Sequence, residues 1–274
     1  MHPVIVSSEK DEASKNIKKS LIENFGFKET TETFEGEPVY KKGEIKLITT
    51  QKPLIEAEHL DKHPQEVGFF IFASKHKSEK RVPALLVHTP GNWINKADLG
   101  GNPEELGIAY ASAVKEALIA LEEEGENLEY EKTLEVTHHG PTTLKKPLLF
   151  VEIGSDKKMW ENQKCSMIVA SAILRAAKMK KNYRPLLGIG GGHYAREFNK
   201  IVLETDFAVG HIAPKYVLDE LRTEMLQEAL EKTFEKVETA VIDWKGTSKP
   251  QREKIAQFLH KKGINLEKTK EIRK

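Results

Sequence analysis

Short apolar runs alternate with stretches of helical periodicity from one end of this chain to the other, and no other feature restricts the fold as tightly. Pro3 to Ser8, Gly68 to Ser74, Arg81 to His88, Leu148 to Ile153, Pro185 to Ile189, Thr205 to Val209 and Val237 to Asp243 each read as a strand, and Tyr130 to His138 alternates as a half-buried one. Glu37 to Thr50 reads as two strands around Lys42-Gly43. Between them, Ile17, Leu21, Ile22 and Phe25 share a helical face that ends near Gly26. Further helices are predicted over Pro103 to Glu124, Trp160 to Lys178, Tyr216 to Phe234 and Pro250 to Lys262. Strands interleaved with helices predict an α/β fold, with a largely parallel or mixed sheet and helices on both faces. No repeat or linker divides the chain, so residues 1–274 are expected to form a single α/β domain. Residues 27–64 are expected to form a small flap or subdomain, and the lysine-rich segment after Gly263 a solvated end.

Composition excludes several classes of function. Lys plus Arg is 43 and Asp plus Glu is 42, a balance that argues against a surface coated in positive charge for non-specific nucleic-acid binding. One cysteine, Cys165, rules out an internal disulfide and a Cys-rich zinc finger; it lies in an apolar helix and reads as core packing. No apolar run approaches the roughly 18 residues of a membrane helix, and the first residues meet acid and lysine too soon for a signal peptide. A soluble, reduced, intracellular protein is expected. Lys (36) and Glu (35) far outnumber Arg (7) and Asp (7), the skew of ion-pair networks at high temperature, which points to a thermophilic source.

The histidines are unevenly placed. His88 closes one predicted strand, His138 and His139 close another, Glu152 lies at the end of a third, His193 follows Gly190-Gly191-Gly192 after a fourth, and His211 follows a fifth. In open α/β sheets, ligands bind beyond the carboxyl ends of parallel strands, so these side chains can converge. Imidazoles with a carboxylate are the donor set of a catalytic zinc site. Against this, a single histidine is more often a hydrogen-bonded or capping residue, and adjacent residues on an extended strand face opposite ways, so only one of His138 and His139 fits unless a turn begins there. His2, His59, His63, His76 and His260 sit in polar or helical contexts and are expected at the surface.

The glycine run admits two readings, a tight turn or a backbone cradle for an anion or oxyanion. It matches neither a dinucleotide fingerprint nor a phosphate-binding P-loop. Ser155 reads as a helix N-cap before a nucleophile. Among basic clusters, Lys178 to Arg184 is the most suggestive of RNA contact, because Tyr183 adds a stacking group to its cations.

In combination, His88-Thr89-Pro90-Gly91-Asn92-Trp93, Glu135-Val136-Thr137-His138-His139-Gly140-Pro141-Thr142, Glu152-Ile153-Gly154-Ser155, Gly188-Ile189-Gly190-Gly191-Gly192-His193-Tyr194 and Gly210-His211 resemble the archaeal and plant type of D-aminoacyl-tRNA deacylase, over most of the chain to about Trp244. The resemblance implies a three-layer α/β/α sandwich of the phosphorylase/hydrolase-like kind, a zinc cofactor, and a cytoplasmic monomer. It implies hydrolysis of the ester between a D-amino acid and the terminal ribose of tRNA, across many D-amino acids, which recycles tRNA and protects translation. On that basis His88, His138, His139, Glu152, His193 and His211 are the expected metal ligands, with Glu152, Glu135, His88 and His193 at the chemistry. Gly190, Gly191, Gly192 and Asn92 are expected to contact substrate, and Lys180, Lys181 and Arg184 the tRNA. A zinc-dependent peptidase or amidase, and a non-catalytic RNA-binding module, are the alternatives.

Overall fold

A computed structural model describes residues 2–62, 66–79 and 81–273. The expectation of a surface His63 lies outside the described residues. In chain order the elements are β1 (Pro3–Ser8), α1 (Glu12–Phe25), β2 (Lys28–Phe34), β3 (Glu37–Lys42), β4 (Ile45–Thr50), a 3-10 segment (Leu54–Lys62), β5 (Phe69–Lys77), β6 (Ala84–His88), β7 (Gly91–Asn92), β8 (Glu105–Leu106), α2 (Ala111–Glu124), β9 (Glu131–Leu134) and β10 (Leu148–Ser155). They continue with α3 (Lys157–Trp160), α4 (Gln163–Ala177), β11 (Arg184–Ile189), α5 (Arg196–Glu204), β12 (Phe207–Ala213), α6 (Thr223–Glu231), β13 (Thr239–Ile242), α7 (Lys249–Lys261) and β14 (Asn265–Lys268).

The expected mixed α/β architecture is borne out, drawn over two principal sheets. The larger has eight strands in the order β2-β3-β4-β1-β5-β10-β6-β9, with β1, β5 and β10 parallel at its centre and β6 antiparallel to β10. The smaller, β12-β11-β13-β14, is parallel throughout. Residues 27–64 supply β2, β3 and β4, which extend one edge of the larger sheet.

Strand alternation sorts the core. Ile5, Ile71, Ala73, Leu149, Val151, Leu85 and Val87 face helices α1, α2 and α4 in the main core. On the opposite face, Val4, Val6, Phe70, Phe72, Leu148 and Phe150 pack with Leu54, Ala57 and Leu60 of the 3-10 segment. Neighbouring residues of the smaller sheet likewise divide, Leu186 to the main core and Leu187 to a second core with α6 and α7. Parallel strands buried on both faces read as continuous apolar runs, which is why they were legible in sequence.

Local signals set several boundaries. Asp11 caps α1 by accepting the Ser14 N–H, and Gly26, at φ 75°, ends it in the left-handed conformation that glycine adopts without strain. Ser248 and Gln251 form a reciprocal capping box at α7.

Four expectations are corrected. The helix predicted from Pro103 begins at Ala111, because Glu105–Leu106 pairs with Gly91–Asn92 and the Glu235 carboxylate accepts the N–H groups of Ala111 and Ser112. The long helix over 216–234 is a 3-10 turn at Lys215–Val217 followed by α6 alone. The segment after Gly263 is no solvated end: β14 pairs with β13, and Thr269 is buried. The strand predicted at 205–209 runs on to Ala213, which places His211 inside it. Helix α5 carried no expectation.

Candidate metal and hydrolytic site

Register fixes which side chains meet. Phe70, Phe72, Ser74 and His76 of β5 pair with Leu148, Phe150, Glu152 and Gly154 of β10, and Phe150 pairs with His88 of β6. Paired residues share a face, so His76, His88 and Glu152 emerge together on the face opposite α1, α2 and α4. The site therefore lies on the sheet face rather than beyond the strand ends. The His88 ring stacks on Phe150, 5.1 Å away with the planes 7° apart.

The chain after β9 brings in the rest. The segment from Glu135 crosses towards the glycine loop, where Glu135 bridges to Tyr194 and the Val136 N–H donates to the His193 carbonyl. At His139 the backbone turns to φ 48°, an unusual conformation for a side-chain-bearing residue. That turn releases the adjacent histidines from strand alternation. The His138 and His139 rings lie 4.4 Å apart, and 4.2 and 4.8 Å from His88.

Each of these three rings is held by its Nδ1. His88 faces the Thr89 carbonyl at 3.3 Å, His138 that of Val136 at 2.8 Å, and His139 that of Gly140 at 2.7 Å. A carbonyl only accepts, so each Nδ1 carries the proton and each Nε2 presents a lone pair. His88 Nε2 is buried and has no hydrogen-bond partner. Burial, reinforced by the neighbouring imidazoles, holds His138 and His139 well below the usual histidine range. Burial also pushes His88 down, but the Glu152 carboxylate 3.8 Å from its Nε2 leaves it raised.

A second group adjoins the first. The Glu135 side chain is fully buried, with His193 Nε2 at 2.9 Å and His76 Nδ1 at 3.2 Å from one oxygen. Neither contact is aligned as a hydrogen bond, so both carboxylate oxygens are without a directed donor. Burial pushes the Glu135 carboxyl up, yet the surrounding histidines, His193 foremost, bring it below the usual range. Glu152 lies 3.7 Å from His76 Nδ1. Three sets of donors, His88/His138/His139, His76/Glu135/His193 and His88/Glu135/Glu152, each lie within 4.8 Å and could hold a metal ion. Buried lone pairs without donors, on rings fixed by carbonyls, are what a metal ligand requires.

Of the residues singled out in sequence, His88, His138, His139, Glu135, Glu152 and His193 are thus brought together. His211 is not. Its Nε2 faces the Lys232 carbonyl at 3.1 Å and so carries the proton, while Thr137 Oγ1 sits at 3.2 Å from Nδ1 and accepts the Ile212 N–H. No lone pair of His211 remains for a metal, and burial lowers its pKa to about 4. The expectation that His76 lies at the surface is overturned: its side chain is 8% exposed and touches both carboxylates. Its signal was in the sequence, since Phe70, Phe72, Ser74 and His76 continue one period-two face past the residue where the strand was expected to end. His59 is also half-buried, on Glu35 and Thr50, whereas His2 and His260 are exposed.

The remaining candidates are dispersed. Gly190 donates its N–H to the Ala213 carbonyl, and Gly190 and Gly191 take φ 95° and 83°, the turn that carries His193. Asn92 donates to the carbonyls of Gly100 and Asn102, fixing the loop that follows β7. Lys180, Lys181 and Arg184 lie at the opposite end of β11 from His193, roughly 17 Å of strand away. Lys181 pairs there with Asp206, and Arg184 covers the Phe207 ring.

Two cavities open on His138 and His139. One, of about 310 Å³, is lined by His76, His138, His139, Glu152 and His193 with Asp11, Lys10, Lys75 and Lys77. The other, of about 320 Å³, shares His138, His139 and Leu99 and extends over Asn92, Trp93, Asp98 and Tyr216.

The sequence profile of the family described as D-aminoacyl-tRNA deacylase matches residues 63–267. The chain belongs to that family. It is 39% identical to the D-aminoacyl-tRNA deacylase of Pyrococcus furiosus over 268 residues, 96% of this chain and 98% of that one. It is 42% identical to that of Thermococcus onnurineus over 270 residues, with the same coverage. A crystallised conserved protein of unknown function, AF0625, is 32% identical and superposes with a TM-score of 0.91 over 99% of this chain and 96% of its own. No helix among the described residues is long and apolar enough to cross a membrane.

Proposed function

We propose that this protein hydrolyses the ester between a D-amino acid and the terminal ribose of tRNA, with zinc held in the histidine cluster and breadth across amino acids. The observation that carries the reading is the set of three imidazoles, His88 buried and His138 and His139 partly buried at a cavity wall, whose Nδ1 atoms all face carbonyls and whose Nε2 lone pairs are left free in a chain of this family.

The donors fit zinc. His88, His138 and His139 supply borderline-soft nitrogen in one set, and in the adjoining set that shares His88, Glu135 supplies a buried carboxylate oxygen with no directed donor. When bound, the ion supplies a Lewis acid at the ester and acidity to water. The protein's own groups do the rest. Glu152, which lines the first cavity, takes the proton from the attacking water. His76 and His193 orient Glu135 between them. The Nδ1 contacts to Thr89, Val136 and Gly140 fix ring orientation before substrate arrives.

The test is hydrolysis of matched D- and L-aminoacyl-tRNA by the purified protein, as isolated, after chelation, and with zinc restored. Selective loss of the D-ester, abolished by chelator and rescued by zinc, is expected. D-selective cleavage that survives complete metal removal would keep the deacylase and discard the zinc.

A further inference from the structure

The two cavities that meet at His138 and His139 differ in charge. Lys10, Lys75 and Lys77 stand at the first, and Lys77 continues into an adjoining groove with Arg81, Lys157 and Lys158. Lys157 is engaged by Glu12 and Glu161, whereas Lys77, Arg81 and Lys158 have no ion pair among the described residues. The acids on this side are largely occupied. Asp11 accepts from Ser14 and Lys75, and Asp156 caps α3, which leaves Glu79 exposed. Trp160 stands in the same groove as a flat aromatic surface.

The second cavity is the reverse. Its apolar wall is Trp93, Ile94, Leu99, Tyr216 and Val217, and Leu99 and Tyr216 remain more than half exposed at its mouth. Lys96, its one cation, lies 3.9 Å from Glu220, and Asp98 has no cationic partner among the described residues.

An aminoacyl-tRNA is asymmetric about its ester in the same sense. On the alcohol side it is a polyanion; on the acyl side it carries a primary ammonium and a side chain of varied polarity. Phosphates gain from unpaired cations and lose near unpaired carboxylates, and the ammonium does the opposite. We propose that the two cavities divide the substrate at the scissile bond, the RNA strand leaving along Lys77, Arg81 and Lys158 and the aminoacyl group lying between Asp98 and Tyr216. This rests on the deacylase reading above, and it moves RNA contact from the far end of β11 to the rim of the site.

The experiment compares D-phenylalanyl-tRNA with 3′-O-(D-phenylalanyl)adenosine, which keeps the ester and lacks the strand phosphates. In the triple variant Lys77→Glu, Arg81→Glu, Lys158→Glu, the kcat/KM advantage of the tRNA ester over the adenosine ester should fall at least about tenfold. The slope of log kcat/KM against log salt for the tRNA ester should flatten by about 2, three contacts at roughly 0.7 each. Tyr216→Ala should weaken both esters by the same factor, because the acyl group is common to them. A triple variant that keeps the tRNA advantage and the salt slope overturns the assignment, as does a Tyr216→Ala effect confined to the tRNA ester. If wild-type protein cleaves neither ester, the deacylase reading itself has failed, an outcome distinct from a misplaced strand.

Discussion

The two donor groups of this site are built on different principles. His88, His138 and His139 are each oriented by a backbone carbonyl, so their lone pairs are directed by the fold itself. His76 and His193 instead meet at side chains, above all the buried carboxylate of Glu135, with Glu152 and the Tyr194 hydroxyl also beside His76, and the His193 side chain is 42% exposed on a glycine turn. The first group is pre-organised at the cost of burying the His88 imidazole fully and those of His138 and His139 in part. The second can reorganise around whatever occupies the site. In a hydrolase that must release two products, a rigid set of donors beside an adjustable one separates holding the ion from handling the substrate.

The sharpest break between the two is substitution of a carbonyl-oriented histidine. His88→Ala should lose bound metal and several kcal/mol of transition-state stabilisation, about 10³-fold in kcat/KM. His193→Ala should retain more metal, because its partner carboxylate remains. Metal content by elemental analysis alongside turnover decides this. Equal metal loss in both variants would erase the distinction.

The two carboxylates give the next largest effect and divide in the same way. Glu152 lines the cavity and Glu135 does not, so Glu152→Gln should keep its metal and lose on the order of 10²–10³-fold in kcat. Glu135→Gln should lower metal retention instead, since it removes the carboxylate charge that His76 and His193 share. Stoichiometric metal in both variants would place Glu135 among the orienting residues and not the ligands.

His211 supplies the control, a buried histidine with no function at the site. Its pKa in the folded protein is about 4 against 6.5 unfolded, so on acidification the unfolded chain takes up the proton first. Its contribution is therefore complete above pH 6.5 and lost on descending towards pH 4, about 3 kcal/mol in all. Wild-type unfolding free energy should fall by about that much more than that of His211→Gln across this window. Parallel curves would mean that the network with Thr137 and Lys232 does not hold the ring neutral.

Much of this site could be read before the fold was known, and the failures have identifiable causes. His88 and Glu152 were legible because each sits where an apolar run ends, and the His138-His139 pair because it follows a half-buried alternation, although the strand itself stops at Leu134. Whether both members of the pair could point one way depended on a single torsion, the 48° φ of His139, which no pattern encodes. His211 was misplaced because its strand continues through Gly210, a residue that reads as a stop but stands where a side chain would come within 3.1 Å of Thr233 and 3.2 Å of Ala109. The start of α2 depends on Glu235, more than a hundred residues away, so no local cap could mark it. The α/β class and the central strands followed from periodicity and the sandwich from the family resemblance, whereas the split into two sheets rests on pairings between distant strands.

Gly154 offers the finest test, because it acts on one donor group and leaves the other alone. It pairs with His76 across β5 and β10, and a Cβ there would stand 3.0 Å from His76 Cδ2, 3.1 Å from its Cβ and 3.1 Å from Leu86 Cδ1, the far end of a side chain that can turn aside. His76 cannot yield by rotating a distant tip, since its own Cβ is one of the atoms in the way. Gly154→Ala should therefore tilt the imidazole from Glu135 while the carbonyl-oriented trio keeps its geometry. Loss of an orienting partner of this kind typically costs about 10-fold or somewhat more in metal affinity or activity. The expected signature is a weaker metal affinity in a competitive titration with metal still bound in excess zinc, and activity recovered there. Activity that stays low at saturating zinc would show that His76 does more than position Glu135, and would move the boundary between the rigid group and the adjustable one.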